Sequence, residues 1–294
     1  MPIMAANMDT VGTFEIAEAF SKHKMITCLH KHYSVAETVE WGKRVGGEVL
    51  NNVAITAGVN DRDFKTTQEI LQELPEVKFI CLDVANGYQH SFIERVAFYR
   101  EQFPEKIILA GNVVTQEITQ ILLQAGADIV KIGIGPGSVC TTRKQTGVGY
   151  PQLSTVLENS QIAHSLGGYV ISDGGCTIPG DFSKAFCAGA DFVMAGGIFA
   201  GHQESGGETI KVEESGKWFK KFYGMSSDVA MTKYSGGVAN YRASEGKLVY
   251  LPFKGPIEST ILDLLGGVRS TCTYIGAQSI EEMPENTTFI KVTQ

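Results

Sequence analysis

Short apolar runs rich in β-branched residues alternate along this chain with longer stretches in which apolar positions recur every three or four residues. The runs at 3–6, 25–29, 49–55, 79–84, 107–110, 129–132, 169–172 and 192–194 predict strands. The stretches between them, at 13–22, 35–45, 61–74, 91–103, 116–125, 155–166 and 179–188, carry the helical period. Eight strands alternating with helices predict an α/β fold of the closed parallel kind, the (β/α)8 or TIM barrel. An open doubly wound sheet is the weaker alternative, because no G-x-G-x-x-G turn follows the first strand.

The alternation is punctuated twice by the same signal, Ala125-Gly-Ala-Asp128 and Ala188-Gly-Ala-Asp191, where glycine suits a helix C-cap. After the eighth strand the pattern breaks. Glu204-Ser-Gly-Gly207 leads into alternating residues around Lys211, Val212 and positions 218–223, which predict an inserted hairpin. A polar, Gly-rich loop at 226–246 follows, and the last barrel helix is expected over 256–265. The insertion as a whole spans 203–246, a position that lies on the C-terminal, active-site face of a barrel.

Composition narrows the picture. With 294 residues and 43% hydrophobic content, positions 1–294 fit one large α/β domain. A net charge of −7 argues against nucleic acid as a general partner, since no basic face is evident with which to displace counterions. The six cysteines show neither CxxC pairs nor His partners at metal-ligand spacing. A chain of this size needs no disulfide framework, which favours a reducing, cytoplasmic setting. No stretch approaches the ~18 apolar residues of a membrane span, and no signal-like segment opens the chain.

The most informative chemistry lies in Lys131-Ile-Gly-Ile-Gly-Pro-Gly-Ser-Val-Cys-Thr-Thr-Arg143. A strand, read generously as 128–134, ends in three glycines that clear side chains from the backbone, and a lone cysteine follows on a polar loop. Cys140 stands where a nucleophile would meet a ligand held by that loop. The seventh and eighth strands end in Asp173-Gly174-Gly175 and Gly196-Gly197, glycine pairs that let amides approach a phosphate. Asp83-Val-Ala-Asn-Gly87 and Gly111-Asn112-Val113 close the fourth and fifth strands with groups able to grip a ribose and a carboxamide. Helix capping is the competing role for Asp83 and Asn86.

Gly135-Pro-Gly-Ser-Val-Cys-Thr-Thr-Arg143 resembles the cysteine loop of the IMP dehydrogenase and GMP reductase family. Gly147-Val-Gly-Tyr-Pro-Gln152, Ser172-Asp-Gly-Gly175, Met4-Ala-Ala-Asn-Met-Asp9 and Gly224-Met-Ser226 resemble further motifs of that family in the same order. The resemblance implies that Ser138, Gly175, Gly196, Gly197 and Tyr223 hold a nucleotide 5′-phosphate, that Asp173 accepts the ribose hydroxyls, and that Gly174 also belongs to the substrate site. It assigns the purine edge to Gly224, Met225, Ser226, Arg242, Ser244 and Gly246. It places a nicotinamide cofactor against His32, Asp83, Val84, Ala85, Asn112, Ile134 and Gly135, with Met225, Tyr241, Arg242, Ser270, Thr271, Cys272 and Thr273 contributing. The carbonyls of Gly135, Gly137 and Cys140 would coordinate a monovalent cation such as K+, with Arg143 nearby.

In the same family Cys140 would attack C2 of a purine nucleotide, with Thr142 and Glu245 as candidates for a proton relay. The reductase branch is favoured over the dehydrogenase. Too few residues separate Ser226 from Arg242 for a long mobile flap, and the loop at 56–60 leaves no room for an inserted regulatory domain. The resemblance therefore implies NADPH-dependent reductive deamination of GMP to IMP and ammonia, in a homotetramer. IMP dehydrogenase activity and a catalytically inactive nucleotide-binding subunit are the alternatives. Met1-Pro-Ile-Met-Ala-Ala6 reads as a strand without lead-in, so the segment that relatives carry upstream is expected to be absent.

Overall fold

The computed structural model describes residues 1–237 and 243–293. Strands β1 (Ile3–Ala5), β2 (Ile26–Leu29), β3 (Val53–Ala57), β4 (Phe79–Asp83), β5 (Ile107–Val113), β6 (Ile129–Ile132), β7 (Tyr169–Asp173) and β8 (Phe192–Ala195) pair in sequence order. All eight ladders are parallel, and β8 closes on β1 through Ile3↔Val193, Met4↔Met194 and Ala5↔Ala195. The expected (β/α)8 barrel is what the chain forms.

Helices α1 (Phe14–Ser21), α2 (Val35–Val45), α3 (Gly47–Leu50), α4 (Asp61–Glu73), α5 (His90–Gln102), α6 (Gln116–Gln124), α7 (Thr142–Thr146), α8 (Gln152–Ser165) and α9 (Pro179–Cys187) run between the strands. Beyond β8 come β9 (Thr209–Lys211), β10 (Trp218–Tyr223), α10 (Asp228–Ser235), β11 (Leu248–Pro252) and α11 (Glu258–Ile275). The inserted strands form an antiparallel sheet in the order β11-β10-β9.

The barrel interior is filled by Met4, Cys28, Ala54, Cys81, Leu109, Ile129, Ile171 and Met194, so Cys28 and Cys81 are the small core residues their apolar surroundings predict. A second layer seals helices against the outside of the sheet. Phe20, Phe182, Phe186 and Phe199 are fully buried there, each contributing about 2–3 kcal/mol by leaving water. The Gly-Ala-Asp signals do more than end helices. Asp128 Oδ2 accepts the Ile108 amide (2.7 Å) and Asp191 Oδ2 the Val170 amide (2.8 Å), so each carboxylate ties a strand start to its neighbour.

Several boundaries differ from expectation. Val49 belongs to the one-turn helix α3 rather than to a strand, because Asn51 and Asn52 donate side-chain amides back to the Gly47 and Glu48 carbonyls. Position 128 and the glycine exit at 133–134 fall outside β6. The region expected to be loop at 226–246 contains α10, capped by Ser227, whose hydroxyl accepts the Ala230 amide (3.3 Å). The hairpin acquires a third strand, β11, and α11 runs well past residue 265.

Candidate active site

The strand C-termini surround a cavity of about 300 Å³ at one mouth of the barrel. Asp83, Asn112, Gly133 and Asp173 reach it from strand ends, Ser138 and Cys140 from the glycine loop, and Met225, Ser226 and Glu245 from the insertion. The sequence-predicted residues Val84, Ala85, Ile134, Gly135, Gly137, Thr142, Gly174, Gly175, Gly196 and Gly197 line the same space.

Cys140 is half-buried and is held at the cavity by backbone pairing between the glycine loop and the insertion. Lys247 donates its amide to the Val139 carbonyl (2.9 Å), Thr141 to the Glu245 carbonyl (2.8 Å), and Glu245 to the Ser226 carbonyl (2.9 Å). The segments meet closely, since a Cβ on Gly224 would stand 3.1 Å from both Gly246 Cα and the Val139 oxygen. The side chains above this pairing form a chain of donors. Cys140 Sγ donates to Thr142 Oγ1 (3.2 Å), and the Thr142 hydroxyl donates to Glu245 Oε2 (2.7 Å). A thiol, a hydroxyl and a carboxylate in that order can move one proton from sulfur to carboxylate without a large displacement.

Opposite the thiol, β7 and β8 end in the two glycine pairs. Gly174 and Gly175 take φ of +86° and +83°, which an L side chain rarely adopts. A Cβ on Gly197 would come 2.8 Å from Ser138 Oγ, so the serine hydroxyl and the β8 exit close on one spot. Backbone amides and a hydroxyl converging without side-chain cover suit an anion such as phosphate. Phe222 closes this end.

Asp173 and Asp83 face each other across strands β4 to β7, bridged by Lys131 from β6 beneath the cavity floor. Asn112 donates to Asp173 Oδ2 (2.8 Å) and to the Gly133 carbonyl (2.8 Å), which fixes its amide at the rim. Burial alone would raise the Asp83 pKa, but Lys131, followed by Asn7 and Lys31, lowers it below the ordinary carboxylate value. Asp83 is thus an anionic acceptor rather than a helix cap: Gln89 is the residue flanking α5.

Some expected residues are not brought to the cavity. Tyr223 points the other way along β10, donating its hydroxyl to Asp9 Oδ2 (2.6 Å), because alternate residues of a strand face opposite sides and Phe222 takes the cavity face. His32 stacks on Tyr234 with ring centroids 3.4 Å apart. Arg143 folds back over its own loop, donating from Nε to the Ile134 carbonyl (3.3 Å) and from Nη2 to the Tyr150 carbonyl (2.5 Å). Ser244 donates to the Gly246 carbonyl (3.2 Å) and shapes the turn. Ser270, Thr271, Cys272 and Thr273 lie on α11, where Thr271 hydrogen-bonds Ser183 of α9 (2.8 Å), away from this chain's own cavity. Tyr241 and Arg242 lie outside the described residues.

Two residues that organise the surroundings of the cavity carry no signal of it in the sequence. Lys131 sits inside an apolar strand with no local motif, and Asp9 collects three donors that only the fold brings together: Tyr223, Lys233 (2.9 Å) and Tyr234 (2.5 Å). These contacts dock α10 and β10 onto the loop after β1.

The sequence profile of the IMP dehydrogenase / GMP reductase domain matches residues 1–294. The chain belongs to that family. It is 58% identical to GMP reductase 2 of Mus musculus over 294 residues, which is all of this chain and 84% of the relative. It is 57% identical to GMP reductase of Caenorhabditis elegans over 294 residues, all of this chain and 82% of that protein. Against GMP reductase of Klebsiella pneumoniae subsp. pneumoniae the identity is 57% over 292 residues, 99% of this chain and 84% of the other. Membership of this family implies a purine nucleotide substrate and a nicotinamide cofactor. The residues present fit both: a glycine cradle with a serine hydroxyl at one end, and acceptor carboxylates with a fixed carboxamide partner, Asn112, at the other. Among the described residues no helix is long and apolar enough to cross a membrane.

Proposed function

We propose that the chain catalyses the NADPH-dependent reductive deamination of GMP to IMP and ammonia. The observation that carries this reading is the continuous chain Cys140 Sγ, Thr142 Oγ1, Glu245 Oε2 at the mouth of the glycine-lined cavity. The geometry suits the following sequence. The Cys140 proton passes through Thr142 to Glu245, and the sulfur adds to C2 of the purine, forming a C–S bond. An amine leaves poorly unless protonated, so Glu245 returns a proton to the 2-amino group as the C–N bond breaks and ammonia departs. The nicotinamide cofactor, when bound, supplies the hydride that C2 needs before the C–S bond breaks and releases IMP. Asp173 and the glycine cradle orient the nucleotide throughout, while Asp83 and Asn112 hold the cofactor side.

The reductive sense is supported by the insertion. In place of a long flap, the segment after Ser226 forms α10, and its Lys233 and Tyr234 are anchored to Asp9. The turn between β3 and α4 is short and leaves no place for an inserted domain. For the assembly we infer a homotetramer in the cytoplasm. Tyr274 is 90% exposed on α11, an apolar face that a neighbouring copy could cover. The carbonyls of Gly135, Gly137 and Cys140 offer oxygen ligands suited to K+.

The test is consumption of NADPH with GMP, set against reduction of NAD+ with IMP. Cys140→Ala should abolish turnover while GMP still binds with nearly wild-type affinity. Turnover near wild type in that variant, or IMP-dependent NAD+ reduction as the faster reaction, would overturn the assignment.

A further inference from the structure

Lys131 is 1% exposed, yet its ammonium contacts two carboxylates that open to the cavity, Asp83 at 35% and Asp173 at 18% exposure. It hydrogen-bonds Asp83 Oδ1 and lies 3.3 Å from Asp173 Oδ2. The cation is therefore out of a ligand's reach, while both anions it serves are within it. The fold makes room for this arrangement: a Cβ on Gly111 would meet Lys131 Cβ at 2.5 Å, so β5 passes against the stem of the lysine only because residue 111 is glycine.

Other groups around the ammonium complete the picture. Cys81 lies beside it in the barrel interior, with Cys28 beyond. Asn7 and Lys31 face Asp83, and Asn112 occupies one lone pair of Asp173. Burial disfavours the lysine charge, but Asp83, Cys81 and Asp173 more than offset it and hold the pKa well above its ordinary value. One permanent cation is thus shared between two anions.

We propose that Lys131 is a positioning residue that couples the nucleotide half of the cavity to the cofactor half, by dividing its charge between a hydrogen bond to Asp83 and an ion pair with Asp173. The inference rests on the reading that Asp173 receives the nucleotide ribose and Asp83 faces the cofactor. A ligand that donates hydrogen bonds to Asp83 withdraws part of that carboxylate from the lysine, and the ammonium shifts toward Asp173. The lone pairs available to the nucleotide ribose change accordingly, although the two ligands touch different carboxylates. Coupling of this kind is reciprocal.

The test is calorimetric titration of GMP into the full chain without cofactor. Asp83→Asn should free the lysine to claim Asp173 and weaken GMP binding roughly threefold to tenfold, within the lower part of the coupling found between contacting pairs in mutant cycles. In a Lys131→Met background the same Asp83→Asn change should have no effect on GMP affinity. An unchanged GMP affinity in the Asp83→Asn single variant overturns the proposal, even if Lys131→Met does not fold. A ligand-free readout separates this outcome from failure of the functional reading. In urea denaturation, Asp83→Asn/Asp173→Asn strands a buried ammonium and should cost clearly more stability than the two single changes summed. Additivity there overturns the proposal whether or not GMP is the substrate.

Discussion

Thr142 donates its hydroxyl to Glu245 at 2.7 Å across a sequence separation of 103 residues, and the same hydroxyl accepts from the Cys140 thiol. The thiol and the carboxylate therefore come from different loops and meet only through a threonine. If the three act as one relay, their loss should not be additive. Thr142→Ala and Glu245→Gln should each lower kcat by about 10²–10⁴-fold. The double variant should lose little beyond the worse single one. Steady-state kinetics with GMP and NADPH checks this. Multiplying losses would mean that the two residues act separately.

On the proposed reading, Gly197 lies at the end of the cavity that takes the phosphate. Its replacement by alanine would place a methyl group 2.8 Å from Ser138 Oγ, and the serine must turn away. Loss of that hydroxyl and of the amide approach should weaken GMP binding by about tenfold or more. Guanosine, which has no phosphate, should bind the variant as it binds the wild type. An equal loss for both ligands would locate the damage elsewhere.

Asp9 is the anchor of the insertion. Burial pushes its pKa up, but hydrogen bonds from Tyr223, Tyr234 and Lys233 more than offset this and hold it below the ordinary carboxylate value. A lowered folded-state pKa means stability that is present above the unfolded value and lost as pH falls through the folded one. The docked α10 should therefore persist through mildly acidic solution and release only below about pH 4. Asp9→Asn should release it at neutral pH, at a cost of about 2–4 kcal/mol, because three donors lose a charged acceptor. Limited proteolysis within 224–237 and urea denaturation would read both effects.

His30 acts in the same direction over a higher pH window. It is buried, stacked on Tyr33 at 3.9 Å, and desolvation lowers its pKa to about 4. The unfolded chain takes up this proton near pH 6.5 and the folded one does not, so stability should decline as pH falls from about 6.5 to about 4. The decline from this group amounts to roughly 3 kcal/mol and then stops. His30→Phe should flatten the profile of Tm against pH over that window. A parallel profile would remove His30 from the account.

The barrel was legible because each strand is an apolar β-branched run, and the cavity because glycines, Asp173 and Cys140 mark strand exits that topology gathers at one end. What escaped notice depends on contacts distant in sequence. The glycines at 266 and 267 look like a helix stop, yet α11 runs through them. A Cβ on Gly267 would stand 2.4 Å from Pro179 Cβ, so glycine there lets α11 lie close on α9. Leu248–Pro252 alternates weakly and becomes a strand only because β10 offers an edge. Lys131 looks like an intruder in β6 until Asp83 and Asp173 arrive from two other strands. Tyr223 was misplaced because the family motif fixes its position in the chain, whereas the strand's alternation decides which way it points.

The backbone stitching between 139–141 and 245–247 has a mechanical result. Sulfur and carboxylate ride on segments bonded to each other rather than on independent arms. A displacement of either segment would carry the other with it, so the spacing of sulfur and carboxylate would be kept. Such an enzyme could breathe on every cycle without having to rebuild its proton path each time.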